Sequence, residues 1–132
     1  MKTKKYRKRE NQFVVAVQLE LETDGFRYNK WGAVQQCHRG DWLVNNGGDV
    51  YTINEDSFAS TYREVKPGQY VKTTPVWAYV AVDAGKVQTK EGTTEYKRGD
   101  YWVANNPDGS DAYAVSKDKF EEMYEELNDS TS

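Results

Sequence analysis

The chain writes one stretch twice: Arg39-Gly40-Asp41-Trp42-Leu43-Val44 returns as Arg98-Gly99-Asp100-Tyr101-Trp102-Val103. From Arg39 to Asn46 the copies run at an offset of 59, and from Tyr51 to Tyr62 at an offset of 62, so the second copy carries three extra residues in one loop. Beyond the hexapeptide, Tyr51, Ile53, Asp56, Phe58, Tyr62 and Val65 meet Tyr113, Val115, Asp118, Phe120, Tyr124 and Leu127. A tandem duplication restricts the fold to two like units. Units of roughly 60 residues bury too small a fraction of their apolar surface to be stable alone, so the copies are expected to share a core. The division read from the sequence is residues 1–65 as repeat 1 with a basic N-terminal arm, 66–127 as repeat 2, and 128–132 as a polar tail with no reason to be ordered.

Within each copy the pattern is mostly that of strands. Phe13, Val15, Val17, Leu19 and Leu21 alternate with Val14, Ala16, Gln18, Glu20 and Glu22, which predicts one long strand with the first set buried. Phe26 to Lys30 shows no period and reads as a loop, and Trp31 to His38 as a short strand. The Gly40-Asp41 turn leads into Trp42-Leu43-Val44, and Asn45-Asn46-Gly47-Gly48 closes a hairpin because these residues tolerate positive φ. Asn54 stands where a helix cap is wanted, with Glu55 and Asp56 in the first turn. Phe58, Tyr62 and Val65 then share a helical face that Lys66-Pro67-Gly68 ends. Ser116, Phe120, Tyr124 and Leu127 repeat that logic. In the second copy, strands are expected over Pro75 to Val82, Val87 to Thr89 and Thr93 to Lys97. The predicted class is α+β, mostly β: two tandem small antiparallel sheet or barrel-like repeats, each ending in a short helix, packed as a pseudo-twofold pair.

Composition adds aromatic bulk and a divided charge. Ten Tyr and four Trp supply volume where aliphatic residues are few. Cys37 is the only cysteine, and no apolar run is long enough for a signal peptide or a membrane span, so a reducing, cytoplasmic setting without membrane insertion is expected. Lys2, Lys4, Lys5, Arg7, Lys8 and Arg9 crowd the first ten residues, whereas residues 118–129 hold six acids against Lys119. The sequence has a basic head and an acidic tail.

The first copy, with Lys5-Tyr6-Arg7-Lys8 leading to Val15-Ala16-Val17-Gln18, then Gly40-Asp41-Trp42-Leu43-Val44, Tyr51-Thr52-Ile53, Asp56, Phe58 and Thr61-Tyr62-Arg63-Glu64-Val65, resembles a recurrent family of small phage and prophage proteins. The likeness spans residues 5 to 65. The second copy keeps the Gly-Asp-aromatic core but has Tyr70-Val71-Lys72 where Tyr6-Arg7-Lys8 stands in the first. What the resemblance implies is a phage or mobile-element origin, with activity in an infected or lysogenic host cell. It brings no catalytic residues.

No constellation of reactive groups stands out. Cys37 and His38 are neighbours on an expected strand and point to opposite faces, so they make a poor nucleophile and base. One Cys and one His cannot fill a tetrahedral metal shell without carboxylates. Neither cofactor nor metal is expected. The repeated pair Asp41 and Asp100 is read as turn-forming, and Asp56 with Asp118 as helix-starting. The structural motif is therefore Gly40, Asp41, Trp42, Phe58 and Tyr62, with Gly99, Asp100, Tyr101, Phe120 and Tyr124. The candidates for partner contact are Lys4, Lys5, Tyr6, Arg7, Lys8 and Arg9, cations that neutralise phosphates around a ring that stacks on a base. The expected function is a non-enzymatic, phage-type binding protein with a counter-defence role, engaging a host protein or a small anionic, nucleotide-like ligand. It would act as a monomeric pseudo-dimer or a homo-oligomer. The alternative is a nucleic-acid-binding accessory protein that uses the basic arm.

Overall fold

The opening strand of each copy belongs to the other copy's sheet. Lys4–Lys8 (β1) begins the first copy, which continues through Val14–Gln18 (β2), Gly25–Lys30 (β3), Ala33–His38 (β4), Trp42–Asn46 (β5), Asp49–Ile53 (β6), Glu55–Thr61 (α1) and Tyr62–Lys66 (β7). The second copy repeats the order with Gln69–Lys72 (β8), Val76–Val80 (β9), Gly85–Gln88 (β10), Thr93–Tyr96 (β11), Tyr101–Ala104 (β12), Ala112–Val115 (β13), Lys117–Met123 (α2) and Tyr124–Glu126 (β14). One five-stranded antiparallel sheet runs β6-β5-β2-β8-β7 and the other β13-β12-β9-β1-β14. Thus β8 sits between β2 and β7, and β1 between β9 and β14. These positions come from a computed structural model that describes residues 2–10 and 12–127. The expected tail at 128–132 lies outside the described residues. The fold is mostly β with two short helices, as the repeat predicts. The repeats are not two side-by-side units divided near residue 65, however, because each lends the other a strand.

The two cores have the same aromatic construction. Phe58 stacks between Trp42 at 4.2 Å and Tyr62 at 4.6 Å, while Tyr70 from β8 meets it edge-on at 5.1 Å. Phe120 stacks between Tyr101 at 4.0 Å and Tyr124 at 4.7 Å, while Tyr6 from β1 meets it edge-on at 4.9 Å. Stacked and T-shaped arrangements both suit the ring quadrupole. Each exchanged strand therefore supplies one ring to the core it enters.

These rings fill the space above each sheet and decide which face of β2 is buried. The buried positions of β2 are Val14 and Ala16, whereas Val15 and Val17 are about half exposed, the reverse of the expected face. In β9, Val76 and Ala78 are the fully buried equivalents. A small residue is required where the rings come down on the sheet. The predicted long strand also stops at Gln18. Phe26 to Lys30, expected as a loop, belongs to strand β3, which is paired along its whole length with β4. Its two-residue turn places Trp31 at φ 55° and Gly32 at φ 80°. The helices are shorter than their spacing predicts: each lasts seven residues and ends before the tyrosine, since Tyr62 and Tyr124 are already extended. Val65 is exposed on β7, and Lys66-Pro67-Gly68 turns a strand instead of ending a helix.

The turn readings fare better. Asp41 accepts the His38 amide at 2.8 Å and Asp100 accepts the Lys97 amide at 3.0 Å, with Gly40 and Gly99 at φ 93° and 95°. Asp41 also accepts the Glu55 amide at 3.0 Å, tying this turn to the start of α1. Asn54 caps α1 through the amides of Asp56 and Ser57, whereas Ser116 makes no side-chain cap bond.

Two outcomes follow. Residues 1–66 and 67–132 produced separately should be unfolded or dimeric, because each lacks the strand the other lends, and mixing them should restore a one-to-one folded complex by circular dichroism and sedimentation. Independently folded, monomeric fragments would contradict the exchange. Truncating Phe58 or Phe120 to Ala should each cost about 3–5 kcal/mol in urea unfolding, since each ring is buried between two others.

Candidate functional site: a tyrosine-lined cavity at the seam with two inward-facing lysines

Where the copies meet there is a cavity of about 450 Å³. Its walls come from both copies at equivalent positions: Lys8 and Lys72, Asn46 and Asn105, Tyr51 and Tyr113, Tyr62 and Tyr124. Strand alternation explains the lysines. Tyr6 and Lys8 lie two residues apart on β1, so both face inward, Tyr6 into the aromatic core and Lys8 over the seam. Tyr70 and Lys72 on β8 do the same. In register, Lys8 lies opposite Tyr124 and Lys72 opposite Tyr62, with the ammonium groups 5.4 and 5.8 Å from the facing rings.

Among the described residues neither lysine forms a direct ion pair. Lys72 Nζ donates to Asn105 Oδ1 at 2.7 Å and to Tyr113 OH at 2.9 Å, and Lys8 Nζ lies 3.7 Å from Met123 Sδ. Among the described residues no carboxylate is within ion-pair distance of either. Six carboxylates line the cavity, Asp49, Glu91, Glu95, Asp100, Asp111 and Glu122, and the charge of Asp111 acts on Lys72 without a direct ion pair. Asp49 pairs with Lys30 and Lys119 at 2.8 Å each. Asp111 accepts Ser57 Oγ at 2.8 Å and Asn105 Nδ2 at 2.9 Å. Ser57 and Lys119 are themselves repeat equivalents, so these bonds cross the seam reciprocally.

Desolvation shows in the titration of these groups. Burial lowers Lys72 to about 7, helped by the charge of Lys8 and opposed by that of Asp111, and lowers Lys8 to about 8. Burial raises Tyr51 to about 12 and also raises Tyr62, Tyr113 and Tyr124. Lys72 keeps some accessible surface despite this, because that surface faces the cavity.

Two hairpins roof the seam. Gln35 of β4 is fully buried and donates to Thr93 O at 2.7 Å, and the Glu95 amide donates to Trp31 O at 3.0 Å, joining hairpin β3–β4 to β10–β11. They add Trp31, Thr89, Glu91 and Thr94 to the cavity wall. Burial raises the Glu91 carboxyl, although the Asn54 amide donating at 2.6 Å opposes that rise. Trp31 and Asp111, both at φ 55°, are the two non-glycine residues with positive φ among the described residues, and both line this cavity. Backbone of this kind is costly and concentrates at functional sites.

The basic arm is placed differently from the sequence expectation. Lys4–Lys8 is an internal strand, and Tyr6 is a core ring not available to stack on a base. Arg7 pairs with Glu125 at 2.7 Å, Arg9 with Glu125 at 3.5 Å and with the Glu121 carbonyl, and Lys4 with Glu126 at 3.9 Å. Lys5 lies 5.8 Å from the Trp77 ring. Of the six candidates only Lys8 reaches the cavity. Cys37 is buried and donates to the His38 carbonyl, while His38 points outward. Burial pushes the Cys37 thiol up, away from the reactive thiolate. The sequence reading missed Lys72, Tyr51, Tyr113, Asn46 and Asn105 as site residues. One signal was present: of the Tyr-Arg-Lys opening, the second copy retains the tyrosine and the lysine.

No family model matches this chain, and neither a curated protein nor a solved structure matches it.

The lysines predict an unusual pH response. Because the folded-state pKa values lie below the ordinary lysine value, from about pH 7 to 10 the unfolded chain holds protons that the folded chain lacks, and stability must rise with pH. Above about pH 10 the protected tyrosines reverse the slope. Melting temperature should therefore climb between pH 6.5 and 9 in the ligand-free protein, and Lys72→Met should raise it at pH 6.5 and flatten the climb.

Proposed function

We propose that the protein binds a small anionic ligand of nucleotide type in the seam cavity and performs no chemistry on it. The observation that carries this reading is the pair of repeat-equivalent lysines, Lys8 and Lys72, held in one desolvated cavity with no direct ion pair to either among the described residues. Keeping an ammonium out of water costs several kcal/mol unless an opposite charge compensates it. A ligand anion supplies that charge. The surrounding rings provide faces on which a planar base stacks, and Thr89, Glu91 and Thr94 offer acceptors and donors for sugar hydroxyls or base edges. The size of the cavity falls within the range of small-molecule sites.

Together with the phage origin that the sequence resemblance implies, enclosure without reactive groups favours sequestration of a host signal, a counter-defence role. The alternative of nucleic-acid binding through the arm has less support, because three of its cations already face acidic partners.

The reading is tested with ADP and adenosine in a thermal-shift titration at pH 7. ADP should raise the melting temperature in proportion to the logarithm of its concentration once saturating, adenosine should do so far less, and Lys72→Met should abolish the ADP response while melting no lower than the parent. Equal responses to the two compounds, or none to either, would overturn it.

A further inference from the structure

The seam holds its cations in a particular arrangement: two lysines on different sheets, each across the strand pair from its own tyrosine and each repeated by the duplication. We propose that the cavity ligand carries two linked anionic groups of the diphosphate class, one received at Lys8 and the other at Lys72. This rests on the anion-binding reading above and narrows it.

Three observations support two receiving points over one. First, the lysines enter from separate strands, β1 and β8, and neither bonds to a group that the other uses: Lys72 holds Asn105 and Tyr113, whereas Lys8 lies against Met123 and Tyr124. Second, neither lysine has a carboxylate within ion-pair distance among the described residues: Asp49 is held by Lys30 and Lys119, and Asp111, whose charge acts on Lys72 without a direct pair, bonds Ser57 and Asn105. Third, each copy places an asparagine beside its lysine, Asn46 donating at 3.2 Å to the Met123 Sδ that Lys8 approaches and Asn105 accepting from Lys72. Each receiving point thus has a cation, an aromatic ring and an amide. A single compact anion held at one such point leaves the other lysine without an ion pair. Two anionic groups joined by a short bridge satisfy both, and joining them makes the second contact intramolecular, which multiplies affinity without any new contact.

The test compares inorganic pyrophosphate with orthophosphate by isothermal titration calorimetry on the full chain, with Lys8→Met and Lys72→Met alongside and Lys8→Gln and Lys72→Gln as polar substitutes should either methionine variant fail to fold. Pyrophosphate is expected to bind at least tenfold more tightly than orthophosphate, and either single substitution should reduce pyrophosphate to the affinity of orthophosphate. Equal affinity for the two anions, or a loss confined to one lysine, would overturn the two-point arrangement while leaving anion binding in place. Binding of neither anion, with no response to ADP either, would remove the anion-binding reading itself.

Discussion

The rest of the structure depends on the exchange of opening strands. Were β1 to stay with its own copy, Tyr6 would enter the Phe58 core and Tyr70 the Phe120 core, and the halves would need no contact with one another. The exchange makes each aromatic core depend on a ring from the other half, so neither can form alone. It also fixes the seam. Because side chains on a strand alternate, delivering Tyr6 and Tyr70 into the cores forces Lys8 and Lys72 to project on the same side, two residues further along, where the copies face each other. The cavity and the shared core are consequences of one topological fact.

That arrangement has a cost, and the cost argues for use. Two ammonium groups in a desolvated space oppose folding, and aliphatic residues of similar length would be more stable there. Duplication within one chain also frees the two points to diverge. Lys72 is tied to an amide and a phenol, whereas Lys8 lies against a thioether, because Met123 stands where the first copy has Thr61. A homodimer of the single module could not make that distinction. The two points are therefore equivalent in position and unequal in chemistry, which suits a ligand whose two ends differ.

Much of the fold was legible because repetition amplifies weak signals. The Gly-Asp turns, the Gly47-Gly48 hairpin, the Asn54 cap and the Phe58 and Phe120 anchors each depend on residues within a few positions of one another, and the second copy confirms the first. The reversed face of β2 was not legible, since period-2 alternation there runs apolar on both sides and only the aromatic stack above Ala16 decides which side is in. The helix ends were misread because Phe58, Tyr62 and Val65 suit a helix by spacing, while the stacking of Tyr62 on Phe58 is achieved just as well from an extended residue. Strand exchange leaves no local trace, since β1 and β8 have similar inward residues and pairing either one in either sheet preserves the core. The site was hidden for the same reason: its lysines are 64 positions apart and meet only after the exchange.

What then decides which strand goes where? The charges that make the sequence look like a basic head and an acidic tail answer this. In the observed pairing Arg7 faces Glu125, and Val71 faces Arg63. Arg63 and Glu125 occupy equivalent positions in β7 and β14. Returning β1 to its own copy would set Arg7 against Arg63 and leave Glu125 opposite Val71, replacing an attraction with a like-charge contact at the same place in the ladder. Directly opposed like charges destabilise a strand pair and opposed unlike charges stabilise it, each by a few tenths of a kcal/mol to about 1 kcal/mol. The cores themselves are nearly indifferent to the choice, because Tyr6 and Tyr70 fill similar spaces, so a difference of that size is enough to bias it. Specificity here comes from penalising the wrong partner as much as from rewarding the right one. The basic arm, which in the sequence looks like an electrostatic contact for something outside, is on this account an address for a strand inside the protein.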